Sequence, residues 1–94
     1  HLPHLLASCL MTAMPPDGRA LAPRSFLDLT RIAKSDPDLW DDIFLSNRAP
    51  LLESMARFDR EWRTLRGLIA RSRRGPLRRR LGRAKSLRDA LQDP

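Results

Sequence analysis

Apolar residues recur at helical spacing near the start of the chain and predict a first amphipathic helix. The positions that fall on one side of this helix are Leu2, Leu5, Leu6, Cys9, Leu10 and Ala13. Pro3 is tolerated in a first turn, where its missing N–H would be unpaired anyway, so we expect the helix to run from about Pro3 to Met14. Residues 15–23 contain three prolines and a glycine, which is the composition of a loop.

Two capping signals predict the start of the next helices. Ser25 can cap free backbone N–H groups, and it predicts a short second helix that ends near Ala33. Ser35 and Asp36, followed by Pro37, give the same signal for a third helix. The apolar face of that third helix contains Leu39, Trp40, Ile43 and Phe44.

The longest predicted helix carries a coiled-coil-like seam. Asn47 is a plausible cap for it, and Pro50 still falls within its first turn. Apolar residues follow with spacings of four, three, four, three and four: Leu51, Met55, Phe58, Trp62, Leu65 and Ile69. A stripe of this kind requires a partner helix to cover it.

A last helix is predicted after a break at Gly75 and Pro76. Its apolar positions are Leu77, Leu81, Ala84, Leu87 and Leu91. Because the break is short, this helix can fold back along the preceding one as an antiparallel partner.

These elements predict an all-α fold: a small bundle of about five helices with the two long C-terminal helices as an antiparallel pair. Leucine dominates the apolar residues and tyrosine is absent, which favours helix over strand. With 94 residues, we expect residues 1–94 to form a single domain with a thin core. The apolar stripes exceed what such a core covers, so we expect a dimer. A monomer in which all stripes meet internally is the alternative.

Charge is distributed unevenly along the chain. Residues 1–56 contain five basic and seven acidic side chains, whereas residues 57–94 contain thirteen basic and four acidic ones. Such asymmetry raises the question of a nucleic-acid partner. Sixteen of the eighteen basic residues are arginine, a bias that a GC-rich coding sequence produces without any ligand. We therefore expect a solvated helix face and keep nucleic-acid binding as an alternative.

Composition also excludes several classes of protein. The single cysteine, Cys9, cannot form an internal disulfide or a cysteine zinc cluster. The longest apolar stretch, residues 5–14, is interrupted by Ser8 and Thr12 and is shorter than the roughly 20 residues that span a bilayer. We expect a cytoplasmic protein without a membrane partner.

Two pairs of polar residues are candidates for a site. His1 and His4 are three residues apart and share a helix face, which is compatible with binding a metal or an anionic group, although a structural or interfacial role is the more common one for such a pair. A zinc site needs three or four ligands, and no further histidine exists, so we expect no metal. Asp28 and Arg31 form either an exposed ion pair or a clamp in which Asp28 holds Arg31 toward a ligand carboxylate. No complete catalytic set is visible.

Three segments resemble the C-terminal domain of prephenate and arogenate dehydrogenases: HLPHLLA at 1–7, FLDLTRIAKSDP at 26–37 and LWDDIFLSNR at 39–48. In that family a Rossmann domain binds the nicotinamide cofactor and supplies the catalytic histidine. The all-helical C-terminal domain forms the dimer and closes the substrate pocket. No G-x-G-x-x-G motif follows a strand in this sequence. The resemblance therefore implies that NAD or NADP binds outside this chain, which alone is not expected to be active.

Residue roles also follow from the resemblance. It implies that His4 lies at the substrate site with His1 close by, and that Trp40 lies near the pocket wall. It further implies that Arg31 pairs with a carboxylate of prephenate or arogenate, with Asp28 as its ionic partner. The implied function is dimerisation and substrate binding for an NAD(P)-dependent dehydrogenase of tyrosine biosynthesis. A stand-alone helical interaction protein is the main alternative.

Overall fold

The computed structural model describes residues 1–93, which fold into helices joined by short turns. The bounds are α1 Leu2–Ala13, α2 Pro16–Ala20, α3 Arg24–Thr30, a 3-10 turn Arg31–Lys34, α4 Pro37–Ser46, α5 Arg48–Ala70 and α6 Arg74–Asp89. No strand occurs among the described residues. The predicted all-α fold is confirmed, with one short helix more than expected.

The additional helix is α2, which lies in the segment predicted to be a loop. Pro16 is its first residue and Asp17 lies in its first turn. The fixed φ of proline and a negative charge near the N–H groups both favour a helix start. Arg19 donates from Nη1 to the carbonyl oxygen of Met14 at 2.9 Å. The prediction of a loop was wrong because the prolines start a helix turn here rather than preventing one.

The start of α3 differs from the prediction, whereas its end is close to it. Ser25 does not cap the helix: α3 begins at Arg24, and Pro23 in the N-cap position has no side-chain cap. The helix ends at Thr30, whose buried hydroxyl donates to the carbonyl oxygen of Phe26 at 2.7 Å. The 3-10 turn then carries the chain to Lys34, one residue beyond the predicted end of the second helix.

The junctions around α4 agree with the sequence signals. The Asp36 carboxylate accepts a hydrogen bond from the backbone N–H of Asp38 at 3.0 Å, and Pro37 is the first helical residue. Asn47 separates α4 from α5. Its N–H donates to the carbonyl oxygen of Phe44 at 3.2 Å, and its own carbonyl accepts from the N–H of Leu51 at 3.1 Å. Asn47 thus closes one helix and opens the next.

The break between α5 and α6 lies a few residues before Gly75 and Pro76. Both of these residues fall in the first turn of α6, where proline costs no hydrogen bond. The chain turns instead at Ser72, which has φ 52°. Around it, the N–H of Arg73 donates to the carbonyl oxygen of Leu68 at 2.9 Å, and that of Ser72 to Ile69 at 3.1 Å. This pair of bonds is the Schellman motif.

Contacts group the residues into two compact units. The first unit is His1–Met55. In it, α1 packs against α3 and the 3-10 turn. Its buried apolar side chains are Ala7, Phe26 and Leu51. The core is as thin as the chain length predicts.

The second unit begins at Ala56 and contains most of α5 together with α6. None of its described residues is buried. An ion pair joins Arg80 to Glu61 at 2.6 Å, but α6 covers only part of the predicted seam. Trp62 and Ile69 on α5 remain 56% and 63% exposed, and Leu81 and Leu87 on α6 remain 55% and 58% exposed. The apolar pairing of the two long helices that the sequence predicted is therefore made only in part within the chain: Leu65 on α5 and Leu77 on α6 are half-buried.

Candidate functional site

Four rings form a cluster between the start of α1 and α4. The His4 ring stacks on Trp40, with ring centroids 3.7 Å apart and planes 24° apart. His1 approaches Trp40 and Phe44 edge-on, at 6.2 Å from each. Trp40 and Phe44 are themselves 5.6 Å apart. The structure thus brings together His1, His4 and Trp40, three of the residues singled out in the sequence.

Helix periodicity explains how the rings meet. His1 immediately precedes α1, and His4 follows three residues later, so both rings fall on one side of that helix. Trp40 and Phe44 are four residues apart on α4 and fall on one side of it. The spacing of these residues, together with the packing of the two helix ends, therefore brings the four rings together.

Asn47 adds a hydrogen bond to this cluster. Its Nδ2 atom lies 3.1 Å from Nδ1 of His1. The side chain that follows α4 therefore orients the ring that precedes α1.

A shallow, open cleft of about 390 Å³ lies beside His1. A volume of this size suits a small organic molecule. The cleft is formed where α1 and α5 begin, and its lining residues are His1, Leu2, Pro3, Asn47, Pro50, Leu51 and Ser54.

Asp28 and Arg31 do not form the predicted ion pair. Asp28 instead lies 3.7 Å from Arg24, one turn earlier on α3, and both side chains are exposed. Thr30 has φ −104° and ψ 2°, outside the α-helical region, so the backbone leaves the spiral of α3 before it reaches Arg31. Within residues 1–93, Arg31 is exposed and takes part in no ion pair.

The predicted site residues therefore fall into two groups. No hydrogen bond, ion pair or ring contact among residues 1–93 joins Asp28 or Arg31 to the ring cluster. Arg31 nevertheless begins the 3-10 turn, which packs against α1, the helix that carries His4.

Sequence reasoning missed two participants in the cluster. Phe44 was assigned to an apolar face, although its spacing of four residues from Trp40 is the signal that places the two rings together. Asn47 was assigned only as a helix cap. Its hydrogen bond to His1 spans 46 residues, and no local pattern indicates such a contact.

No group of three or more His, Cys, Asp or Glu side chains within residues 1–93 is placed to hold a metal ion. Over the same residues, no helix combines the length and the apolar character needed to cross a membrane.

Comparison with known proteins assigns the family. The family described as "Prephenate dehydrogenase, dimerization domain" matches residues 1–83. The chain belongs to this family. Among curated relatives of the prephenate dehydrogenase dimerization domain, the prephenate dehydrogenase of Bacillus subtilis is 32% identical over 97 residues, which cover 97% of the chain. The resemblance seen in the sequence is therefore confirmed.

Two further relatives support this assignment. The cyclohexadienyl dehydrogenase of Zymomonas mobilis is 38% identical over 77 residues, covering 74% of the chain, and the prephenate dehydrogenase of Lactococcus lactis is 39% identical over 64 residues, covering 62%. The matched segment is 26%, 26% and 18% of the Bacillus, Zymomonas and Lactococcus proteins. The chain thus spans about a quarter or less of the relatives that it matches. No solved structure gives a significant match.

Proposed function

We propose that the chain is the dimerisation and substrate-binding domain of an NAD(P)-dependent prephenate or arogenate dehydrogenase in tyrosine biosynthesis. The observation that carries this proposal is the family match over residues 1–83. The curated relatives are dehydrogenases of which the chain spans about a quarter. We therefore place the catalytic histidine and the cofactor in a Rossmann domain outside these residues, and the whole enzyme in the cytoplasm.

The described residues do not fit a nicotinamide cofactor. A Rossmann site needs a strand, a tight glycine turn and the start of a helix in succession. Here Gly18, Gly67, Gly75 and Gly82 lie inside helices, none has a positive φ, and residues 1–93 contain no strand. We accordingly assign no step of hydride transfer to this chain. Its part is to bind and orient the substrate.

Arg31 is our candidate for binding a substrate carboxylate. Prephenate is a small dianion and arogenate a zwitterion, and both carry carboxylates. A guanidinium offers a planar pair of N–H groups that matches a carboxylate with two parallel hydrogen bonds. Because Arg31 is exposed and forms no ion pair within residues 1–93, its donors need not be released from a protein carboxylate first. The role proposed for Asp28 is correspondingly reduced, since Asp28 lies beside Arg24.

His4, His1 and Trp40 are our candidates for orienting the substrate. Stacking on Trp40 holds the His4 ring in one plane, which fixes the direction of its nitrogen atoms. The hydrogen bond from Asn47 does the same for His1. In this proposal the two imidazoles contact polar groups of the substrate, and the indole forms the apolar wall beside its ring.

Dimerisation in this proposal uses the exposed seam of α5. The seam leaves the side chains of Met55, Phe58, Trp62 and Ile69 between 39% and 63% exposed. Removing apolar surface from water contributes about 25 cal/mol for each Å². A second copy that covers the seam buries this apolar surface and stabilises the dimer. The thin core of the single chain buries little apolar surface by itself.

Substitution of Arg31 tests the substrate-binding role. In the enzyme formed by joining this chain to a matching Rossmann domain, we expect Arg31→Ala to lower kcat/KM for prephenate or arogenate at least tenfold, a loss of about 1.4 kcal/mol in transition-state binding. Arg24→Ala, which removes an exposed arginine from the adjacent helix, is the matched control and should leave kcat/KM unchanged. A change within a factor of about two for Arg31→Ala would refute the carboxylate role.

A further inference from the structure

The second unit carries a basic surface with many unpaired arginines. Ion pairs tie Arg63, Arg80, Lys85 and Arg88 to acidic neighbours. Other arginines of α6 and of the turn before it are exposed and form no ion pair among the described residues: Arg71, Arg73, Arg74, Arg78, Arg79 and Arg83. A concentration of like charge of this kind raises the free energy of the chain unless an acidic partner approaches it.

Apolar side chains lie among these arginines on α6. Arg79, Arg83 and Leu87 are spaced by four residues and therefore share one face of the helix. Leu87 is 58% exposed. Gly82 lies on the same side, and a side chain built there would meet no other atom within 4 Å. This side of α6, which we call the α6 face, is basic, partly apolar and uncovered.

The exposed side of α4 is acidic, which is complementary to the basic α6 face. Four carboxylates occur within seven residues: Asp36, Asp38, Asp41 and Asp42. All four are exposed, and none forms an ion pair within residues 1–93. Asp38, Asp41 and Leu45 follow at helical spacing, and Leu45 is 69% exposed. This side of α4, which we call the α4 face, is acidic where the α6 face is basic, and it also carries an exposed leucine.

We infer that the α6 face of one copy of the chain binds the α4 face of a second copy. The inference rests on the proposed dimerisation and specifies how the dimer is held together. The net charge of residues 1–56 is −2 and that of residues 57–94 is +9. Two copies can therefore place opposite charges together at two symmetric contacts. Electrostatic complementarity of this kind sets which surfaces meet and in which orientation.

The order of the helices makes this contact compatible with pairing of the α5 seams. A single residue separates α4 from the start of α5, and three residues separate the end of α5 from α6. When two α5 helices pair antiparallel about a twofold axis, the start of each lies beside the end of the other. The α4–α5 junction of one copy then lies beside the α5–α6 turn of the other. Parallel pairing would instead bring the two basic segments together, where like charges repel.

The exposed leucines favour a protein partner over a nucleic acid. A nucleic-acid backbone would be bound by the arginines alone, and Leu87 and Leu45 would stay in water. A second copy covers both kinds of side chain, because the α4 face offers carboxylates and a leucine in the same turn or two of helix.

Charge reversal with rescue tests the inference. One double variant carries Arg79→Glu and Arg83→Glu, and the other carries Asp41→Arg and Asp42→Arg. The dissociation constant of the dimer of the full chain is measured at low salt by analytical ultracentrifugation. We expect each double variant to weaken association at least tenfold, because each places like charges across the contact. The fourfold variant restores opposite charges and should return to within about threefold of the parent.

Controls separate the contact from general effects of charge and folding. Arg24→Glu with Lys34→Glu removes the same amount of positive charge from exposed positions in the first unit and should not weaken association. Far-ultraviolet circular dichroism checks that every variant keeps its helices. Failure of the fourfold variant to recover, in chains that remain helical, would overturn the inference.

Other outcomes distinguish this inference from the proposal on which it rests. If the parent dimerises and all charge variants dimerise equally well, the α4–α6 contact is wrong but the dimer stands. If the parent is monomeric at every concentration tested, dimerisation itself fails. If the chain binds a short DNA duplex in a salt-dependent way and the α6 reversal abolishes this without affecting the dimer, the basic face serves nucleic acid and the inference is overturned.

Discussion

Single residues account for most of what distinguishes this chain from a set of ideal helices. Ser72 adopts φ 52° at the end of α5, in the position where the Schellman motif normally has glycine. A side chain in this left-handed region costs roughly 1–2 kcal/mol through the contact of Cβ with the backbone. The turn between α5 and α6 therefore contains conformational strain at Ser72, which a glycine at this position would relieve.

Ser72→Gly should raise the free energy of unfolding by about 0.5–1 kcal/mol. Relief of the left-handed strain outweighs the roughly 0.4–1 kcal/mol that glycine costs by loosening the unfolded chain. Urea denaturation followed by circular dichroism measures the change. Ser86→Gly makes the same substitution inside α6 and should lower stability by about 0.5 kcal/mol, since glycine disfavours a helix interior. Equal effects at both positions would contradict this account.

The candidate site could be predicted in part at this scale. The family resemblance implied that His1, His4 and Trp40 lie at one pocket. In the structure the rings of both histidines contact the ring of Trp40. The Asp28–Arg31 pair was a reasonable expectation from spacing but fails because the backbone tightens at Thr30, which is a conformational detail that spacing does not contain.

At the scale of whole helices, start signals predicted boundaries well where they involve a side-chain cap. The start of α4 is held by the Asp36 carboxylate, and the sequence placed it correctly. The exception is Ser25, whose predicted cap does not form because α3 begins at Arg24. The other signals that failed are those in which proline or glycine was taken to end a helix. Pro16 and Pro76 instead lie at or near the first helical position, where proline is favoured.

The cap on α4 should contribute measurably to the stability of the chain. We expect Asp36→Ala to lower the free energy of unfolding by about 1 kcal/mol, because the N–H of Asp38 loses its acceptor. Asp36→Asn keeps an acceptor oxygen and should lose only a few tenths of a kcal/mol. Chemical denaturation of both variants provides the comparison. Equal destabilisation by alanine and asparagine would show that charge, and not the hydrogen bond, is what matters.

For the whole molecule, the sequence predicted the excess of apolar surface but not where it lies. The buried apolar side chains of the described chain number three, all in the first unit. The excess falls on the later part of α5 and on α6, whose apolar stripes cover each other only in part. Sequence periodicity shows that a helix has an apolar side, but it does not show whether the cover comes from the same chain or from another.

An acidic substitution in the seam tests whether α5 is the dimer surface. Trp62→Glu should weaken self-association at least tenfold, since a carboxylate would have to enter an apolar contact. Leu21→Glu is the matched control: Leu21 is 86% exposed and lies outside the seam, so its replacement should leave association unchanged. Sedimentation velocity over a range of concentrations measures both. A dimer unaffected by Trp62→Glu would place the interface elsewhere.

The hydrogen bond between Asn47 and His1 links parts of the chain that are 46 residues apart. It joins the residue before α1 to the residue between α4 and α5. Both residues line the cleft. One side chain therefore cross-links two sides of the cleft, and removing the Asn47 amide would leave the ring beside the cleft without this tether.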